Sequence, residues 1–174
     1  MNLPNSITLV RVILIPFFIN LMIYEYYRAA LIVFVVACVT DALDGLIARL
    51  LNMKTDLGAF LDPMADKLLI VSAFVTLVLL KMLPVWLAII VISRDVILVL
   101  GSIIIYFMQH EFSVHPSLVG KLTTVLQLLL VTLTLLLVNY GTDLGMMRYL
   151  QWLTAAITVA SGVQYVSRGM RLAA

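Results

Sequence analysis

Charged side chains are scarce in this chain: Asp, Glu, Lys and Arg make up 11% of its 174 residues. Soluble domains carry about 25%, so an ordinary water-facing globular surface is excluded. Cysteine is almost missing as well. Cys38 stands alone, which rules out an intramolecular disulfide, and within its apolar run it reads as a small core residue. The net charge is only +2. With no basic run and no aromatic platform, nucleic acid is excluded as a partner. His110 and His115 are the only histidines. They stand five apart rather than four, so they are not the helical pair of a zinc protease and read as loop residues. A basic n-region and a small-residue cleavage site are also missing after Met1, so the first apolar segment is expected to insert and stay.

Apolar residues fill the deficit, at 64% with a mean hydropathy of +1.16. That is a membrane composition. Crossing a bilayer as a helix takes about 20 apolar residues. Six such runs are present, at 7–24, 29–49, 59–80, 84–108, 117–139 and 149–168. Breaks fall at Tyr26-Tyr27-Arg28, at 50–57, from Lys81 to Pro84, from His110 to Pro116 and from Asn139 to Arg148. No repeat and no soluble domain is left over. The expectation is one all-α integral membrane domain over 1–174, with six transmembrane helices around a polar cavity that faces the cytoplasm. Basic residues set the orientation. Arg11, Arg49, Lys54, Lys67, Lys121, Arg168 and Arg171 fall on one side, against Arg28, Lys81 and Arg148 on the other. Both termini are therefore expected to be cytoplasmic. At the first span, Asn5 or Ser6 is expected to cap the helix, with Arg11 snorkelling to the interface.

Against this background, residues 41 to 66 stand out. They read Asp41-Ala-Leu-Asp44-Gly45-Leu-Ile-Ala48-Arg49, eight residues, then Gly58-Ala-Phe-Leu-Asp62-Pro-Met-Ala-Asp66. Asp41, Asp44 and Ala48 share one helical face, and Gly58, Asp62 and Asp66 share another. The polar turn Asn52-Met-Lys54-Thr55-Asp56 would let the two faces meet. Each ionised carboxylate near a bilayer centre costs roughly 2.5–3.5 kcal/mol, so four cost on the order of 10 kcal/mol. Arg49 and Lys67 are too few to neutralise them. Asp62 before Pro63 is also a good helix N-cap, but that reading leaves three acids unexplained. Hard divalent cations are the natural partners of clustered carboxylates. Two of them would suit phosphoryl transfer by clamping a pyrophosphate. Gly45 and Gly58 would allow close approach of a ligand, and Arg49 is read as a phosphate partner.

This stretch resembles the CDP-alcohol phosphatidyltransferases, fitting their signature D-x2-D-G-x2-A-R-x8-G-x3-D-x3-D without departure. The resemblance spans the chain, through the start Leu3-Pro4-Asn5-x-x-Thr8-x-x-Arg11 and the stretch Gly120-Lys121-x-Thr123. It implies two Mg2+ or Mn2+ ions held by Asp41, Asp44, Asp62 and Asp66, and nucleotide contacts at Gly45, Ala48, Arg49 and Gly58. Asp66 matches the general base that takes the acceptor's proton. The implied substrates are CDP-diacylglycerol and an alcohol acceptor among the membrane lipids, with CMP released, and the family is typically a homodimer. A bacterial inner (plasma) membrane location with a cytoplasmic active site follows.

The acceptor is read from Arg94 and Lys121. Arg94 and Asp95 point about 100° apart on a helix, so direct mutual neutralisation is not expected. Arg94 needs another anion, whether a motif aspartate, a group on another helix or a substrate phosphate, and the acceptor phosphate is the preferred reading. Lys121 is read either as snorkelling or as binding the acceptor. Length, start and the Gly-Lys-x-Thr stretch resemble phosphatidylglycerophosphate synthases, which use glycerol 3-phosphate. Ser93-Arg94-Asp95 resembles the single-motif cardiolipin synthases, which use phosphatidylglycerol. A reading from a different class is an ion-coupled transporter, since intramembrane acids also mark ion paths. Clustering of the acids toward one face, rather than at the midplane, argues against it.

Overall fold

The computed structural model describes residues 3–50, 56–108 and 118–173, with side chains described over 10–40, 67–101 and 118–167. Six α-helices account for nearly all of it: α1 (Leu3–Ile23), α2 (Tyr27–Leu50), α3 (Asp56–Leu79), α4 (Val85–Met108), α5 (Leu118–Asn139) and α6 (Arg148–Ala173). A single 3-10 turn, Leu144–Met147, leads into α6. Among the described residues there is no strand. The six helices coincide with the six apolar runs to within a few residues, except that α6 continues to Ala173.

One expectation about a helix start is corrected, and the N-cap reading of Asp62 that was set aside is not found. Helix α1 begins at Leu3, so Asn5 and Ser6 lie inside its first turn rather than at its N-cap. Pro4 is compatible with that, because first-turn amides have no intrahelical partner to lose. Helix α3 begins at Asp56, so Asp62 sits within the helix rather than at its N-cap. The predicted turn residues Tyr27 and Arg28 belong to α2.

Three helix ends close in the same way. After α1, the amide of Glu25 bonds the carbonyl of Met22 at 3.2 Å and that of Tyr26 bonds Leu21 at 2.9 Å, with Glu25 at φ 62°. After α3, Lys81 bonds Val78 at 2.9 Å and Met82 bonds Leu77 at 2.8 Å, with Lys81 at φ 58°. After α5, Gly141 bonds Val138 at 3.1 Å and Thr142 bonds Leu137 at 3.0 Å, with Gly141 at φ 63°. Each is a Schellman closure, which satisfies carbonyls that the helix itself leaves open. A left-handed residue is required at its pivot. Only Gly141 meets that demand without a Cβ penalty; Glu25 and Lys81 carry it.

The chain divides into two compact units. One comprises 1–82 and 131–144, the other 83–130 and 145–174, so α5 contributes its two ends to different units. In the first unit α1 packs against α2 and α3. Phe18 and Phe34 meet with ring centroids 5.6 Å apart, and Met22, Ala30, Ala37, Ala73, Phe74 and Leu77 are buried with them. In the second unit α4 packs on α6. Trp86 stacks on Trp152 at 4.7 Å, Arg94 reaches Ser161, and Tyr165 donates to the carbonyl of Leu98 at 3.3 Å. The separation in sequence stays at 66 or 67 along this seam, so α4 and α6 run parallel. Gly101 is needed there because a Cβ would lie 2.8 Å from the Tyr165 ring.

Nothing lies within 4 Å of a Cβ placed on Gly141, so substitution there is opposed by φ alone. Gly141→Ala is expected to cost about 1 kcal/mol and Lys81→Gly to stabilise by up to about 1 kcal/mol. Thermal unfolding of the two purified variants in detergent checks both signs.

Candidate active site

The first half of the acidic motif, Asp41 to Arg49, occupies the C-terminal part of α2, and Gly58 to Asp66 the N-terminal part of α3. Their backbone is helical. Their side chains, and the 51–55 connection, lie outside the described residues, so the expected meeting of the two faces lies outside them too. What is described is the helical frame. Buried residues on α2 run Ala30, Phe34, Ala37, and on α3 Leu69, Ile70, Ala73, Phe74, Leu77. Counting along the same helices, Asp41 stands one turn beyond Ala37 and Asp66 one turn before Ile70.

Arg11 was expected at the interface and is found inside. It is 1% exposed and among the largest fully buried side chains of the protein. Its helix, α1, packs on both motif-bearing helices. Arg11 lies seven residues before Phe18 and Asp41 seven after Phe34, the pair whose rings touch. In an α1–α2 hairpin that count puts the arginine level with the first motif position. The physical reason for the correction is packing. The inner face of α1 is enclosed from both sides, so a guanidinium there has no outward route along which to snorkel. Sequence reasoning had one available signal, the fixed spacing from Pro4 through Thr8 to Arg11.

Arg94 is also placed differently. Its Nη1 donates to Oδ1 of Asp95 at 2.7 Å and its Nη2 to Oγ of Ser161 at 2.9 Å. The residues are 6% and 3% exposed, so this is a buried ion pair between sequence neighbours. The expectation that adjacent helix positions do not meet holds for their Cβ directions. It fails here because the long arginine stem lies along the α4–α6 seam, where the guanidinium is buried and reaches both Asp95 and Ser161. Gln127 and Thr158 continue the polar seam, with Nε2 of Gln127 3.5 Å from Oγ1 of Thr158. Thr123 adds a 3.4 Å contact to the Ile157 carbonyl. The Nε of Arg94 and the Oε1 of Gln127 are buried without a hydrogen-bond partner, which suits internal water. These polar groups were not anticipated, although Thr154, Thr158 and Ser161 recur at helical spacing in α6. Lys121 is exposed on α5.

Among the described residues no three His, Cys, Asp or Glu side chains come together. The motif aspartates fall outside that set, as do His110 and His115. As donors, four carboxylates suit hard cations that prefer oxygen.

Comparison with known proteins agrees with this frame. The family model described as CDP-alcohol phosphatidyltransferase matches residues 1–163. Two bacterial relatives carry the name CDP-diacylglycerol--glycerol-3-phosphate 3-phosphatidyltransferase. The one from Bacillus subtilis (strain 168) is 36% identical, with 96% of this chain and 94% of the relative covered. The one from Aquifex aeolicus (strain VF5) is 30% identical, with 99% and 98% covered. A human protein named Cardiolipin synthase (CMP-forming) is 34% identical over 98% of this chain and 62% of its own length. The chain belongs to the CDP-alcohol phosphatidyltransferase family and is an enzyme of that class.

Removing one member of the buried pair isolates its energetics. Asp95→Ala strands a buried guanidinium and is expected to cost about 3–5 kcal/mol. Replacing both, as Arg94→Met with Asp95→Leu, is expected to recover most of that loss, as buried pairs commonly do. Thermal unfolding of Arg94→Met, of Asp95→Leu and of the double variant gives the coupling directly.

Proposed function

We propose that this chain transfers the phosphatidyl group of CDP-diacylglycerol to glycerol 3-phosphate, giving phosphatidylglycerophosphate and CMP. The acceptor rests on one observation: two bacterial relatives named for glycerol 3-phosphate align with the chain almost end to end. Cardiolipin synthesis with phosphatidylglycerol is the second reading. It is favoured by the human relative and by Ser93-Arg94-Asp95.

In this reading the whole chain is one membrane domain with six spans. Its termini and active site face the cytoplasm of a bacterial plasma membrane, and it works as a homodimer. The distribution of polarity supports a lipid environment. Arg94, Asp95, Thr123, Gln127 and Thr158 are buried, while Phe17, Ile32, Ile89 and Val159 face outward. Water-soluble proteins show the reverse. Among the described residues one helix, α5, is by itself long and apolar enough to span a bilayer. Charged motif residues interrupt the apolar runs of α2 and α3.

Asp41, Asp44, Asp62 and Asp66 would hold two Mg2+ or Mn2+ ions, whose bound charge offsets that of the pyrophosphate. Gly45, Ala48 and Gly58 would let the nucleotide approach the helix backbones, which a larger side chain would block. Arg49 would hold phosphate oxygens through its planar donors. Asp66 would take the proton from the acceptor hydroxyl. That oxygen then bonds to the lipid-side phosphorus, and the bond from that phosphorus to the CMP oxygen breaks. Arg94 and Lys121 would hold the acceptor phosphate. For Arg94 this means sharing a guanidinium already bonded to Asp95 and Ser161.

Asp66→Asn changes one proton-accepting atom with little change of shape. The variant is expected to unfold at the wild-type temperature while CMP release falls by about 10²- to 10⁴-fold. CMP release near the wild-type rate would remove Asp66 from the base role. Offering glycerol 3-phosphate, phosphatidylglycerol, inositol phosphate and serine in turn, with CDP-diacylglycerol and Mg2+, identifies the acceptor. A product from phosphatidylglycerol alone would select the second reading, and no CMP with any acceptor would favour transport. Chelation by EDTA is expected to abolish turnover, and added Mg2+ or Mn2+ to restore it.

A further inference from the structure

At the α1–α2 turn, the opposite end of α2 from the acidic motif, the first unit carries two adjoining clefts. One, of about 350 Å³, is lined by Glu25, Tyr26, Tyr27, Arg28 and Asn139 among others. The second, of about 230 Å³, is lined by Leu31, Ile32 and Leu136 and shares Arg28 and Asn139 with the first. Together they form one groove with a polar end and an apolar end. The polar end holds one anion and one cation three residues apart. Among the described residues no ion pair joins Glu25 to Arg28, and both are exposed. Tyr26 stands 64% exposed beside them. Glu25 occupies the left-handed pivot of the turn at φ 62°, a position that glycine fills at lower cost. Burial, and then the negative charge of Glu25, raise the pKa of Tyr27, so its hydroxyl keeps its proton and can donate.

We infer that this groove binds a zwitterionic phospholipid, with the phosphate on Arg28, the ammonium on Glu25 and an acyl chain along Leu31, Ile32 and Leu136. Charge complementarity selects this occupant. A purely anionic headgroup would meet Glu25 as a like charge, whereas phosphoethanolamine matches both signs in order. Tyr26 adds an exposed aromatic ring to the lining, a group whose face attracts an ammonium. The Tyr27 hydroxyl is a donor within the lining of the phosphate end, as is the second N–H of the Asn139 amide, whose Nδ2 donates its other proton to the Leu135 carbonyl at 2.9 Å. Tyrosines and a basic residue at a helix end are also what a bilayer interface favours. The volume of the polar cleft falls in the range of small-ligand sites.

The inference rests on the membrane placement proposed above and not on the catalytic chemistry. The test is lipid exchange in nanodiscs containing equal amounts of phosphatidylethanolamine and phosphatidylglycerol, followed by native mass spectrometry of the released protein. The wild type is expected to retain phosphatidylethanolamine about two- to fivefold over phosphatidylglycerol, the range of one or two exposed charge pairs. Glu25→Gln is expected to abolish that preference while keeping phosphatidylglycerol, and Arg28→Gln to weaken retention of both. Neither residue belongs to the proposed catalytic set, so CMP release should stay near wild type. Retention independent of headgroup, preference for phosphatidylglycerol, or unchanged selectivity in Glu25→Gln would overturn the inference. Failure of the wild type to enter nanodiscs would count against the membrane placement, and loss of CMP release in the wild type against the proposed reaction.

Discussion

A charge removed from water must find a counter-charge or a ligand, and in a chain this apolar that requirement shapes everything else. Arg94 satisfies it with its neighbour Asp95 and the hydroxyl of Ser161. Arg11 is enclosed on α1 between the helices that carry the acidic motif. Along the sequence, the four motif carboxylates outnumber the nearby cations Arg49 and Lys67. In the function proposed above, a divalent ion would be the ligand that offsets their cost, since binding it would relieve their mutual repulsion.

The apolar majority of the sequence is the complement of that requirement. Outward-facing valines, isoleucines and leucines need no partner in lipid, so the helices can commit their few polar residues to the inside. The seam of Thr123, Gln127, Thr158 and Ser161 shows this inversion inside one unit. Helix ends follow the same logic. Three Schellman closures retire carbonyls that the helices themselves leave open, even where Glu25 or Lys81 must adopt a left-handed backbone to do it.

Much of the helical frame was legible in advance, because run length and breaker residues report directly on long apolar helices. Six runs became six helices. The starts were less legible: Asn5, Ser6 and Asp62 all look like caps, yet α1 and α3 begin earlier. Cap preferences amount to about 1 kcal/mol, which continuing a helix readily outweighs. The Arg94–Asp95 pair was misjudged for a similar reason. Cβ geometry along one helix says nothing about a second helix that excludes water from the side-chain ends.

The order of residues alone determined the apolar helices, their number among the described residues and the acidic motif, hence the family and its reaction. Each of these depends on spacing along one chain, which a helix preserves. Tertiary packing decided which charges are enclosed and by whom. Arg11 went inward, Arg94 closed on Asp95, and Glu25 and Arg28 were left open beside a groove. Burial depends on what a neighbouring helix brings to the same place, and that distance in space has no counterpart in distance along the sequence.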